Sequence, residues 1–126
     1  MADVEYGFRK LEVWKLGMQL VKLTYKITKR FPEEEKFGLT SQVRRAAISI
    51  PLNISEGSSR RTKKDFASFV RIALGSLMEV STCFEIALAQ EYLVAGDRTE
   101  VDNLVQELYF KLIALDKFLS RKPPIN

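Results

Sequence analysis

The sequence predicts an all-α domain, an antiparallel up-down four-helix bundle with a proline-kinked second helix, spanning residues 1–126. Three observations predict it. Four segments carry apolar residues at the three- and four-residue spacing of an amphipathic helix. The breaks between them are short and marked by proline, glycine or capping residues. Nothing alternates with period two over a useful length, so strands are not expected. Short connections between long helices make sequence neighbours antiparallel, and 126 residues suffice to bury one continuous core.

The first helix runs from about Leu11 to Arg30. It stops at Phe31-Pro32 because the residue before a proline is pushed out of the α region. At ~100° per residue, Val13, Leu16, Leu20, Leu23, Ile27 and Phe31 form one apolar stripe, and Trp14, Met18, Val21 and Tyr25 a second. Gly17, Thr24 and Thr28 lie between them, small enough to let another backbone approach. Lys15, Lys22 and Lys26 share the remaining face with Glu12, Gln19, Lys29 and Arg30. The apolar arc is about twice the ~100° that a simple surface helix needs. One stripe serves the core; the other needs a second core neighbour or a subunit interface.

The second helix, about Leu39 to Ser58, keeps a core seam of Leu39, Val43, Ala47, Ile50 and Ile54. Gln42, Arg45, Ser49, Asn53, Glu56 and Arg60 form a polar ridge at helical spacing. It is either a functional site or an intersubunit hydrogen-bond seam, and the structural reading is favoured because polar residues beside a proline satisfy freed backbone groups. Pro51 removes a donor and crowds the carbonyl of Ala47, so a kink is expected, with Ser49 or Asn53 recapturing that carbonyl. The third helix starts after Thr62, which has capping-box spacing to Asp65, and continues to about Leu93, with Gly96 as a left-handed cap. Only Arg71, Glu79 and Glu85 are charged between Phe66 and Gln90, so this helix is expected to be largely enclosed. The fourth opens with Asp97 and Glu100 and ends before Pro123-Pro124.

Composition narrows the function. There is no histidine, which removes the commonest general base and metal ligand together. Cys83, the only cysteine, permits no intrachain disulfide and sits among apolar residues as a small hydrophobe. Gly75 and Gly96 lack the spacing of a phosphate-cradling loop. No enzyme, cofactor or metal site is expected. No run approaches the ~18 consecutive apolar residues of a spanning helix. The N-terminus, with Asp3, Glu5 and Arg9, does not read as a signal peptide, so a cytoplasmic protein without membrane contact is expected.

Charge is uneven around the formal net of +4. Residues 36–64 carry Lys36, Arg44, Arg45, Arg60, Arg61, Lys63 and Lys64 against Glu56 alone, whereas residues 65–110 are acidic. Such asymmetry suits an anionic partner or self-association. The Arg60-Arg61-Thr62-Lys63-Lys64 turn is the most compact anion site, at a helix N-terminus where backbone donors add to it. The Lys15, Lys22 and Lys26 face of helix one offers a weaker one, and aromatic residues do not interleave with these cations, so base stacking of the single-strand-binding kind is not expected.

The stretch GLTSQVRRAA leading into SIPLNISEG, up to Gly57, resembles the four-helix-bundle family of 23S rRNA intervening-sequence proteins. The opening FRKLEVWKLGMQL, Tyr25, the FPEEEKFGL connection, Arg60 and the IALGSLMEV segment extend the likeness over nearly the whole chain. The resemblance implies a bacterial four-helix protomer that assembles into a homopentameric ring. Its members are encoded within 23S rRNA genes or elsewhere, and a related branch comprises accessory proteins of diversity-generating retroelements, basic rings that bind nucleic acid. It supplies no catalytic residues. Leu52 and Leu74 stand where a small and a basic residue are common, which weakens a role for helix three in binding RNA. Expected, then, is a homo-oligomeric scaffold whose basic surface binds RNA or another nucleic acid; the alternative is an adaptor for a protein client.

Overall fold

The computed structural model describes residues 7–122. The sequence features at Asp3, Glu5, Pro123 and Pro124 lie outside them. Four helices follow one another: α1 (Glu12–Thr28), α2 (Leu39–Ser58), α3 (Lys63–Ala89) and α4 (Ala95–Leu119). Short 3-10 turns at Gly7–Lys10 and Glu33–Glu35 precede α1 and α2, and there is no strand among the described residues.

Side-chain pairings order the helices. Along α1 and α2, Thr28 bonds Arg44 while Gly17 abuts Ile50. Along α2 and α3, Gln42 meets Glu79 while Ser49 meets Ser76. Along α3 and α4, Arg71 pairs with Asp116 and Glu85 with Arg98. Between α4 and α1, Lys111 pairs with Glu12 and Asp97 with Arg30. In each set one partner's number rises as the other's falls, so the helices run antiparallel. The backbones of the diagonal pairs stay farther apart than those of neighbours, leaving a square with α1 packed on α4.

The square encloses one core. Leu20 and Ile27 of α1, Ile50 and Ile54 of α2, Leu77 of α3, and Leu108 and Leu112 of α4 are almost wholly buried in it. These are the seam positions that helical spacing selects. Gly17 earns its place at the tightest crossing of α1 and α2, where an added Cβ would lie 3.3 Å from Cγ2 of Ile50 and 3.5 Å from Cδ of Pro51. The helix continues through the buried Pro51. Neither expected side chain recaptures the Ala47 carbonyl. The Asn53 amide donates instead to the Ser49 carbonyl at 2.8 Å and the Ser49 hydroxyl at 2.9 Å. The Ser49 hydroxyl in turn shares a 2.8 Å hydrogen bond with that of Ser76.

The helix ends differ from the sequence reading in two places. Thr62 caps α3 as its spacing requires, its hydroxyl accepting from the Asp65 amide at 3.1 Å. The other end of α3 closes at Ala89, before Gly96 is reached. Glu91 takes the left-handed conformation there, with φ of 64°. The Tyr92 amide donates to the Ala87 carbonyl at 2.8 Å and the Glu91 amide to that of Leu88 at 3.0 Å, a Schellman closure with glutamate where glycine is usual. Gly96 lies inside α4, whose N-cap is Val94; Asp97 reaches back to the Val94 amide at 3.4 Å rather than opening the helix.

Enclosure of α3 is incomplete within one chain. Eight of its residues are buried, yet Ile72, Met78 and Ile86 remain 51%, 42% and 46% exposed. By length and composition α3 is the one described helix that suffices to cross a membrane; here its buried side forms part of the bundle core. Burial raises the pKa of the Cys83 thiol, with the Glu79 carboxylate adding to the shift, which keeps it protonated and unreactive.

Candidate nucleic-acid interface

Antiparallel order brings the C-terminus of α2, the N-terminus of α3 and the C-terminus of α4 to one end of the bundle. The turn Ser59–Thr62 is short and polar, so Arg60, Arg61, Lys63 and Lys64 stay together at that pole. The segment just after α4 adds cations that the sequence reading did not select. Lys63, Lys64 and Arg71 from α3 line one groove with Ser120, Arg121 and Lys122 beyond α4.

These cations are not equally free. Arg60 sits 2.8 Å from the Glu56 carboxylate and lies over the Phe69 ring at 4.7 Å. Arg71 pairs with Asp116 at 3.2 Å and donates to the Ser120 hydroxyl at 2.8 Å. Arg61, Lys63, Lys64, Arg121 and Lys122 are exposed and make no ion pair among the described residues. Unpaired charges gathered on one pole set up a positive potential there. The α3 N-terminus adds less than the sequence implies, because Thr62 already occupies one amide and Asp65 brings a negative charge.

One aromatic side chain joins the cluster through folding alone. Phe118, half-exposed at 52%, lies 5.0 Å from the Lys63 ammonium at its ring centroid. In the sequence these residues belong to different helices, so no local pattern of alternating aromatics and cations announces them. Folding supplies the interleaving.

The other candidates lie elsewhere. Arg44 and Arg45 are some 15 residues from Arg60 along α2, roughly 22 Å at 1.5 Å per residue. Arg44 is half-buried, donating to the Thr28 hydroxyl at 2.8 Å and stacking over Tyr25 at 4.5 Å, so its charge is committed to the α1–α2 contact. Arg45 stays exposed. Lys15, Lys22 and Lys26 are exposed along α1, whose groove with α4 is lined by Glu100 and Glu107. Those carboxylates offset the lysine row.

Gln42 and Ser49 of the polar ridge bond across to α3 of the same chain and not across a subunit boundary. Gln42 donates to Glu79 at 2.8 Å, Ser49 meets Ser76, and Asn53 braces Ser49 from the next turn. Glu56, at the end of the ridge, pairs with Arg60. The seam fixes the register of the two helices that carry the basic turn. Among the described residues no three His, Cys, Asp or Glu side chains converge to hold a metal ion.

A second surface feature lies away from the pole. Trp14, Met18 and Val21 of α1 line an apolar groove with Ile48, Pro51 and Leu52 of α2. Leu52 is 60% exposed there. Of the second stripe read on α1, Trp14 and Val21 pack partly against the core, Phe8 covers Trp14 and Arg44 covers Tyr25, while Met18 stays 44% exposed.

Comparison with known proteins adds three findings. A family model described as 23S rRNA-intervening sequence protein matches residues 9–114. A protein of unknown function from the S23 ribosomal protein family of Bacteroides thetaiotaomicron has a similar crystal structure, with a TM-score of 0.75. It is 24% identical, and the match covers 83% of this chain and 98% of that one, a likeness of fold. No curated protein matches the chain.

Proposed function

The chain belongs to the 23S rRNA-intervening sequence protein family, and from that premise we propose a non-enzymatic, cytoplasmic scaffold, a homo-oligomeric ring of five copies whose basic poles bind RNA. The observation that carries the binding is the groove lined by Lys63, Lys64, Arg71, Arg121 and Lys122. Its free cations suit a phosphate backbone better than a compact anion, because they are spread over two helix ends.

Two apolar surfaces support assembly. The groove of Trp14, Met18 and Leu52 lies on the α1–α2 side of the square, and a patch of Met78, Val105 and Tyr109 lies on the opposite α3–α4 side. Complementary surfaces on opposite sides make head-to-tail contacts, which close into a ring when the rotation between copies fits. Repetition around a ring also raises the affinity of a weak basic pole through effective concentration.

Fluorescence anisotropy of nuclease-treated protein with labelled RNA tests the binding. Each phosphate neutralised on a single strand contributes about −0.7 to the slope of log K against log salt. Arg61, Lys63, Lys64, Arg121 and Lys122 together predict a slope of about −3.5 per engaged protomer, reduced in magnitude by about 1.4 in the double variant Arg61→Ala, Lys64→Ala. Absence of binding at low salt, or affinity indifferent to salt, would refute the proposal.

A further inference from the structure

We infer that the basic pole takes single-stranded RNA and stacks one unpaired base on Phe118; this rests on the RNA-binding reading above and specifies its substrate. Phe118 is 52% exposed although it is a phenylalanine in the last turn of a core helix. The Lys63 ammonium lies 5.0 Å from the ring centroid, and Lys63 also lines the basic groove. A strand whose phosphate draws Lys63 toward the groove therefore finds an aromatic face immediately beside the backbone path. This combination of a cationic track with an adjoining ring is the means by which single strands are held without sequence readout.

Base accessibility disfavours a duplex. In an A-form duplex the bases are already stacked within the helix, and their faces are closed to a side chain. Only an unpaired base presents the face that Phe118 requires. The stack is sequence-tolerant, with strongly stacking purines favoured.

The experiment compares an A-rich oligoribonucleotide with a blunt duplex of equal length, using the full chain and the variants Phe118→Ala and Phe118→Trp. The single strand is expected to bind more tightly than the duplex. Phe118→Ala should weaken single-strand binding on the order of tenfold, with the salt slope unchanged because no charge is lost. Phe118→Trp should retain affinity and show fluorescence quenching on binding. The exposed position leaves the core intact, and an unchanged circular dichroism melt verifies it. If Phe118→Ala binds the single strand as the unaltered chain does, while removal of Arg61 and Lys64 still weakens binding, the stacking inference is overturned and the basic-pole reading stands. If the unaltered chain binds neither RNA at low salt, both fall.

Discussion

Replacing Gly57 by alanine should destabilise the protein even though alanine is the better helix former. Gly57 is buried in the last turn of α2, where the backbone presses on α3. A Cβ there would lie 2.7 Å from Cβ of Phe69, 2.8 Å from Cδ1 of Phe66 and 3.3 Å from the Phe66 carbonyl oxygen. The Phe66 ring can turn, but the Phe69 Cβ and the carbonyl belong to the α3 framework, so relief requires the helices to part. Overpacking of this kind costs about 1–3 kcal/mol, and the helix preference of alanine returns at most about 1 kcal/mol. The net loss should be about 1–2 kcal/mol. Gly75→Ala is the matched control, since a Cβ there meets nothing within 4 Å on the exposed side of α3. It should stabilise by about 0.5–1 kcal/mol. Urea titration followed by far-ultraviolet circular dichroism measures both, at one protomer concentration because the stability of an assembling protein depends on it. A Gly57→Ala midpoint equal to or above that of the unaltered chain would show that backbone contact does not set the α2–α3 crossing.

Three further substitutions probe single interactions. The Thr24 hydroxyl is fully buried without a hydrogen-bond partner among the described residues, so Thr24→Val should raise stability by about 1 kcal/mol in the same titration. Glu91 holds a left-handed conformation that costs a side chain roughly 1 kcal/mol, so Glu91→Gly should raise the thermal midpoint by a few degrees. The Arg30 guanidinium, 2.7 Å from Asp97, holds that carboxyl below the usual aspartate range. A lowered folded pKa means stabilisation that is present at neutral pH and disappears as pH falls through the folded value. Asp97→Asn should therefore cost at most about 1 kcal/mol at neutral pH, since the Arg30 side chain is half-exposed although that of Asp97 is only 14% exposed, and nothing once the carboxyl is protonated in both states; denaturation midpoints at the two pH values check this.

Much of the fold was legible because helical spacing and punctuation are local signals. The second helix could be bounded at Leu39 and Ser58 from its seam and flanking residues, and Thr62 announced the start of α3. Glu91 was not legible, because any residue can be forced left-handed when the following turn packs, and Phe31 does stack on Tyr92 at 5.6 Å. Glu35 was equally hidden. Its carboxylate accepts from the Leu39 amide at 3.1 Å and the Tyr92 hydroxyl at 3.0 Å, joining two loops that are far apart in sequence.

At the candidate site, the Arg60–Lys64 turn was visible because its charges are consecutive. The contributions of Phe118, Arg121 and Lys122 depend on which helix ends meet, which only topology decides. Arg44 misled for the opposite reason. Its charge reads as exposed, yet Tyr25 and Thr28 take it up across α1.

Assembly is the claim on which the rest depends, since one protomer leaves Met18, Leu52, Ile72 and Ile86 uncovered and presents only a single basic pole. Native mass spectrometry of nuclease-treated protein should give one dominant species at five times the 14.5 kDa protomer mass. A lone protomer at micromolar concentration would contradict it.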